Sequence, residues 1–160
     1  MNSRGHKGGF AATAFRISGA GAIALHAAVY LAVHGDRVCS SGEMARSFSV
    51  SKAHLEKVLQ RLSRAGIVDP VRGRRGGFRL RARAASVNMR AVFEAAGGRL
   101  GGAECLFARR ACGGGECIMQ GLIGRINSEV EKYFKRATLA ALSGKVGGAW
   151  RTKADSIAAT

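Results

Sequence analysis

Apolar residues near the start of the chain recur at three- and four-residue intervals: Ile23, Ala24, Ala27, Ala28, Leu31 and Ala32. That spacing predicts a helix, opened by Ser18 as cap and closed by Gly35. A second, shorter helix is expected from Gly42 to Phe48, capped by Ser40 or Ser41, with Glu43 in its first turn. After the tight connection Ser49-Val50-Ser51, a third helix, capped by Ser51, carries Leu55, Val58, Leu59 and Leu62 on one face and stops at Gly66. The pattern then changes to strand. Ile67-Val68 through Val71, a turn at Arg72-Gly73-Arg74-Arg75-Gly76-Gly77, and Phe78-Arg79-Leu80 predict a hairpin, with Pro70 marking an edge strand or a kink.

Further on, a short helix is expected over Met89–Ala96, ended by Gly97-Gly98. Residues 99–118 are rich in Gly and Cys and show no regular pattern. A long helix is expected from about Met119 to Leu142, with the stripe Leu122/Ile123, Ile126, Val130, Phe134, Ala137 and Ala141. A helix of that length has too little of its own domain to pack against, so the stripe predicts a homodimer. The organisation read from the pattern is a basic disordered arm (1–15), a helical domain with a β-hairpin (16–98), a cysteine loop (99–118), a dimerisation helix (119–142) and a mobile tail (143–160). The fold class is mainly α with a small β-wing.

Composition sharpens this picture. The chain has 160 residues, 47% of them hydrophobic, which fits one ordered domain and excludes global disorder. Its 26 Lys+Arg against 10 Asp+Glu give a net charge of +16, which points to a polyanion partner. Residues 1–90 hold 16 basic and 4 acidic residues, residues 91–160 hold 10 and 6, so the excess sits in the first half. No apolar run reaches the ~18–20 residues of a membrane span. The basic start lacks a small-residue cleavage site after an apolar stretch, so a cytoplasmic protein is expected.

Helix, tight turn, helix and basic hairpin follow one another in the order of a winged helix-turn-helix. The third helix would enter the major groove by its N-terminal residues. Ser51, Lys52, His54, Glu56 and Lys57 are therefore candidate DNA-binding residues, the lysines for phosphate and Glu56 for a cytosine amino group. Six arginines lie between Arg72 and Arg83 with no acid among them. Arg72, Arg74 and Arg75 sit at the glycine turn, suited to phosphate or to the minor groove.

Cys105, Cys112 and Cys117 fall within thirteen residues, whereas Cys39 stands apart as a core or bystander thiol. Their spacing is not the paired CxxC of a zinc ribbon. Glycines 113–115 let the backbone wrap closely, and Arg109 and Arg110 would lower thiol pKa values. Three thiolates are one short of the four ligands usual for an iron–sulfur cluster or a structural zinc. Free thiols without metal are the other reading.

The run Leu55-Glu56-Lys57-Val58-Leu59-Gln60-Arg61-Leu62-Ser63-Arg64-Ala65-Gly66-Ile67-Val68, then Val71 to Leu80, the three-cysteine loop and Thr138-Leu139-Ala140-Ala141-Leu142 together carry a resemblance. The chain resembles the iron–sulfur winged-helix regulators that include IscR, NsrR and RirA, over about Arg16 to Leu142. The resemblance implies a homodimer with crossing C-terminal helices, and a [2Fe–2S] or [4Fe–4S] cluster on Cys105, Cys112 and Cys117. It departs from the family in its loop spacing, six and four residues in place of five and five. It also has Gln120 where some members carry a His, and Ala22 where others supply an Asp from the partner's first helix. One helical turn on, His26 lies on the same face as Ala22 and is the candidate fourth ligand. Gln120, Glu104 and Glu116 stay open.

The function expected is therefore a dimeric, non-enzymatic transcriptional regulator, a repressor on this reading, whose cluster reports redox state, nitric oxide or iron supply. The alternatives are a zinc-stabilised or metal-free architectural DNA binder and a thiol-based redox protein. Neither CxxC nor a convincing acid–base pair supports the last.

Overall fold

The computed structural model describes residues 17–81, 84–101 and 118–158. Six helices and one hairpin run in the order α1 (Gly19–His34), α2 (Ser41–Phe48), α3 (Lys52–Arg64), β1 (Val68–Val71), β2 (Gly77–Leu80), α4 (Met89–Ala95), α5 (Leu122–Arg136) and α6 (Leu139–Ala158), with a 3₁₀ turn at Ala84–Ser86. The chain forms two units, one of residues 17–99 with 134–160 and one that contains 100–133.

Side chains at the helix ends meet the orphaned backbone groups there. Ser18 and Ser40 accept hydrogen bonds from the amides of Gly21 and Glu43, each at 3.1 Å. At the end of α3, Gly66 turns left-handed (φ 73°), its amide bonds Ser63 O and the amide of Ile67 bonds Leu62 O. That is a Schellman termination, and only glycine adopts it without strain. The same pattern ends α4 through Gly97 and Gly98.

Helix α1 is the centre of the first unit. Ten of its sixteen residues are buried, on all sides, because α2, α3, α4, α6 and β2 surround it. Phe93 of α4 lies between two glycines. A Cβ on either Gly21 or Gly98 would come within 2.5 Å of its ring. Phe134 meets Phe93 edge-on at 5.6 Å.

The hairpin is antiparallel, pairing Val68 with Leu80, Asp69 with Arg79, Pro70 with Phe78 and Val71 with Gly77. Phe78 turns its amide and its carbonyl toward Cys39, both at 2.8 Å. Its partner Pro70 thus stands at a position of the pair that needs no amide, so the proline costs no ladder bond. Gly77 permits this closeness, since a Cβ there would sit 2.3 Å from Cys39 O.

Two expectations change at the C-terminal end. The single helix expected over Met119–Leu142 is two helices, separated at Ala137-Thr138. There the backbone is claimed from outside. The Met89 amide bonds Ala137 O at 2.8 Å, the Leu139 amide bonds Val87 O at 2.9 Å, and Thr138 caps α6 through the Ala141 amide. The tail expected to be mobile is helical to Ala158. It covers a face of α1, with Gly147 against Val33 and Trp150 beside Tyr30. The basic arm 1–15, Arg83 and most of the cysteine loop lie outside the described residues.

Candidate nucleic-acid interface

Helix α3 presents Ser51, Lys52, His54 and Lys57 to solvent, while Leu55, Val58, Leu59 and Leu62 face the core. Ser51 stands at the cap position, yet its hydroxyl makes no capping hydrogen bond. This corrects the expectation that it caps the helix. The first-turn amides are left without that oxygen, and their partial positive charge is available to an anion.

Glu56, expected to reach a cytosine, is half-buried and already engaged. The Ser41 hydroxyl donates to its Oε1 at 2.7 Å and Lys52 Nζ lies 3.7 Å from the same oxygen. His54 lies beside the opening turn of α1, 3.9 Å from where a Cβ on Gly19 would stand.

The hairpin begins beside α3, which packs on β1. Its turn holds Arg72, Arg74 and Arg75, all exposed, with Gly73 at φ 113°. Among the described residues none of these three arginines makes an ion pair. Arg81 differs. It donates from Nε and Nη2 to Asp69 Oδ1, at 3.0 and 2.9 Å. The acid-free stretch thus loses one of its positive charges to an aspartate just upstream. The hairpin register could have shown this, because Asp69 faces Arg79 and so lies diagonal to Arg81.

Behind α2 a polar network fixes its position. The Tyr30 hydroxyl donates to Glu43 Oε1 at 2.8 Å, and Arg37 pairs with the same carboxylate. Burial, followed by the neighbouring Glu43, pushes Tyr30 up to about 12. Burial also pushes the Cys39 thiol up to about 11, against the opposing charge of Arg37. This thiol is fully buried and stays protonated at neutral pH, as a core residue does.

Cys105, Cys112 and Cys117, with Glu104 and Glu116, lie outside the described residues. His26 is exposed on α1. Its Nδ1 donates to Ala22 O at 2.7 Å, and its ring stacks on Trp150 at 6.1 Å. Gln120 takes a left-handed backbone (φ 44°), and its carbonyl accepts from Arg125. Among the described residues no group of three or more His, Cys, Asp or Glu is placed to hold a metal ion.

A mainly helical domain with a two-stranded wing beside the second helix of a helix-turn-helix defines the winged-helix class of DNA-binding regulators. The family model described as Rrf2, iron-dependent transcriptional regulator, matches residues 17–145, and the chain belongs to this family. An HTH-type transcriptional regulator of Aquifex aeolicus is 30% identical over 119 residues, covering 72% of this chain and 83% of that protein. Protein aau3 of Rhizobium meliloti is 39% identical over 80 residues, covering 50% and 52%, and NsrR of Geobacillus kaustophilus 35% over 77, covering 48% and 50%. The chain thus spans about half the length of these last two. The same fold occurs in CymR of B. subtilis, titled the global cysteine regulator (TM-score 0.66, 24% identity, 82% of this chain and 98% of that one). It also occurs in IscR of T. potens (TM-score 0.59, 19% identity, 82% and 88%). No helix among the described residues is long and apolar enough to cross a membrane.

Proposed function

We propose that the chain is a dimeric, DNA-binding transcriptional repressor that carries an iron–sulfur cluster on Cys105, Cys112 and Cys117 and responds to redox state, nitric oxide or iron supply. The observation that carries the DNA reading is the uncapped start of α3 beside a wing whose turn arginines have no acidic partner among the described residues. Both features leave positive charge available to phosphate.

The donor set fits a cluster. Three thiols are soft ligands suited to iron and sulfur, and their spacing is not that of the paired CxxC of a zinc ribbon. Bound there, the group supplies a redox- and nitric-oxide-sensitive centre. His26 is proposed as the fourth ligand, given across the dimer. Its Nδ1 bond to Ala22 O orients the ring, as an outer partner does for a ligating imidazole. Gln120, Glu104 and Glu116 are the other candidates.

Two copies would meet along α5. The face expected to do this is Ile123, Ile126, Val130 and Phe134. Ile123 and Phe134 are each only 5% exposed in the single chain, whereas Leu122, Ile126 and Tyr133 are 42–49% exposed. With Val130 these last three form one helical stripe. The interface is assigned to them.

The test is the absorption spectrum of protein purified without oxygen, recorded before and after nitric oxide or oxygen is added. A visible chromophore is expected. It should disappear on Cys→Ser change at Cys105, Cys112 or Cys117, persist in Cys39→Ser, and become labile in His26→Ala. A colourless, zinc-loaded protein would leave a zinc-stabilised DNA-binding module. A colourless, metal-free protein whose DNA binding follows thiol oxidation would leave a thiol-based regulator.

A further inference from the structure

A cavity of about 350 Å³ opens between α1, the end of α2 and α6. Its walls include four rings, His26 and Tyr30 of α1, Phe48 of α2 and Trp150 of α6, with Ala22 and Val50 beside them. In the pairs that involve Phe48 or Trp150 the ring centroids stand 5.5–6.2 Å apart. Tyr30 meets Phe48 at 90°, His26 meets Phe48 at 64°, and His26 and Trp150 are nearly parallel at 29°. We infer that this cavity is a binding site for a neutral, planar compound of one or two rings.

Three observations select that occupant. The volume lies at the lower end of small-molecule sites, roughly 300–1,000 Å³, and is too small for a peptide helix. No Lys, Arg, Asp or Glu lines it, so neither an anion nor a cation finds a counter-charge. The acid in the adjoining network, Glu43, is already taken by Tyr30 and Arg37, and a chain of net charge +16 repels a cation that the rings alone could hold. Four of the eight lining residues carry rings, one of them, Tyr30, already stacked on His34 at 4.2 Å, and such a lining suits a flat aromatic guest over a saturated one.

The position gives the site a use. Phe48 and Val50 belong to the end of α2 and the turn into α3, while Trp150 belongs to the C-terminal helix. A guest held among them braces the helix-turn-helix against α6. Ligand and DNA then bias the same element, and each changes the affinity of the other by the same factor. This consequence rests on the regulator reading, but binding itself does not.

The probe is 2-naphthol, titrated into the full chain without DNA and followed by calorimetry and by the emission of Trp150, the chain's one tryptophan. Saturation at one per chain with quenched Trp150 emission is expected, and decahydro-2-naphthol, of similar size but not planar, should bind at least about tenfold more weakly. Ala22→Leu and Val50→Phe fill the cavity from two different elements. Each should weaken naphthol binding by about tenfold or more while circular dichroism shows the helices intact. Absence of saturation in the wild type, equal binding of the saturated analogue, or unaltered binding in both folded variants would overturn the proposal. If the filled variants do not fold, the comparison of the two naphthols decides it alone. A protein that binds naphthol but no DNA keeps this site and loses the regulator reading.

Discussion

The hydroxyl of Ser41 donates to the carboxylate of Glu56 at 2.7 Å, so the first residue of α2 holds the second turn of α3. Helix α3 lacks a side-chain cap at its own start, and this bond ties it instead to the helix that precedes it. Ser41→Ala should destabilise the domain by about 1–2 kcal/mol, since it releases a half-buried carboxylate. Glu56→Gln, which can still accept from Ser41, should lose less. Urea unfolding followed by circular dichroism ranks the two.

The wing arginines divide into two kinds, and the division can be measured. Arg74→Ala with Arg75→Ala should weaken binding to every DNA sequence and flatten the dependence of log affinity on log salt by roughly one unit for each phosphate no longer neutralised. Arg81→Ala should leave that slope unchanged, because Arg81 is committed to Asp69. An equal change of slope in both variants would mean that the Asp69 pair opens on DNA.

Gly77→Ala tests the seat of the wing. The added methyl would meet Cys39 O at 2.3 Å, and backbone cannot move aside as a flexible side chain does. A loss of about 1–3 kcal/mol is expected, with weaker DNA binding even where the domain stays folded. Gly73→Asn meets no neighbouring atom, so its cost should come from the backbone alone, which at φ 113° disfavours any residue with a Cβ.

Stability should fall at high pH. Tyr30 ionises near pH 10.0 when unfolded and at about 12 when folded, Cys39 near 9.0 and at about 11. Between each pair of values the folded chain binds more protons than the unfolded one, so raising the pH favours unfolding. The contribution of Cys39 is intact below pH 9 and that of Tyr30 below pH 10. Cys39→Ala should remove the earlier part of the decline and Tyr30→Phe the later part, in thermal melts across this range.

On α5 the exposed stripe and the buried residues should behave differently. Ile126→Glu should yield a folded monomer in sedimentation, because it places a charge within the face assigned to the partner. Phe134→Ala should instead destabilise the chain itself by about 3–5 kcal/mol, as it leaves a hole against Phe93. A folded dimer in Ile126→Glu would move the interface elsewhere.

The elements whose ends carry their own chemistry are readable in the sequence. Ser18, Ser40, Gly66 and Gly97 mark boundaries through local bonds, and the glycine turn of the wing needs no distant partner. What escapes depends on distant neighbours. Helix α6 contains Gly144, Gly147 and Gly148, a composition that argues against helix when read locally. Gly147 nevertheless lies where α6 meets Val33, and tertiary packing overrides the propensity. The break at Thr138 is equally non-local, since the residues that claim its backbone lie about fifty positions earlier. For the candidate site, residue type is legible and engagement is not. Arg81 reads like Arg74, and Glu56 like any exposed helix carboxylate, until the register and the Ser41 bond are seen.

The bond pair between Cys39 and Phe78 has a consequence for operators. It fastens the returning wing strand to the segment that leads into α2, and the Ser41–Glu56 bond fastens α2 to α3. The returning wing strand, α2 and α3 are thereby cross-braced into one unit. In an assembly of two such units the adjustable quantity is then the gap between them, not the shape of either one. On the proposed dimeric sensor, a library in which only the number of base pairs between half-sites varies should be ranked differently with and without the cluster, while a library of half-site base changes should keep the same ranking in both.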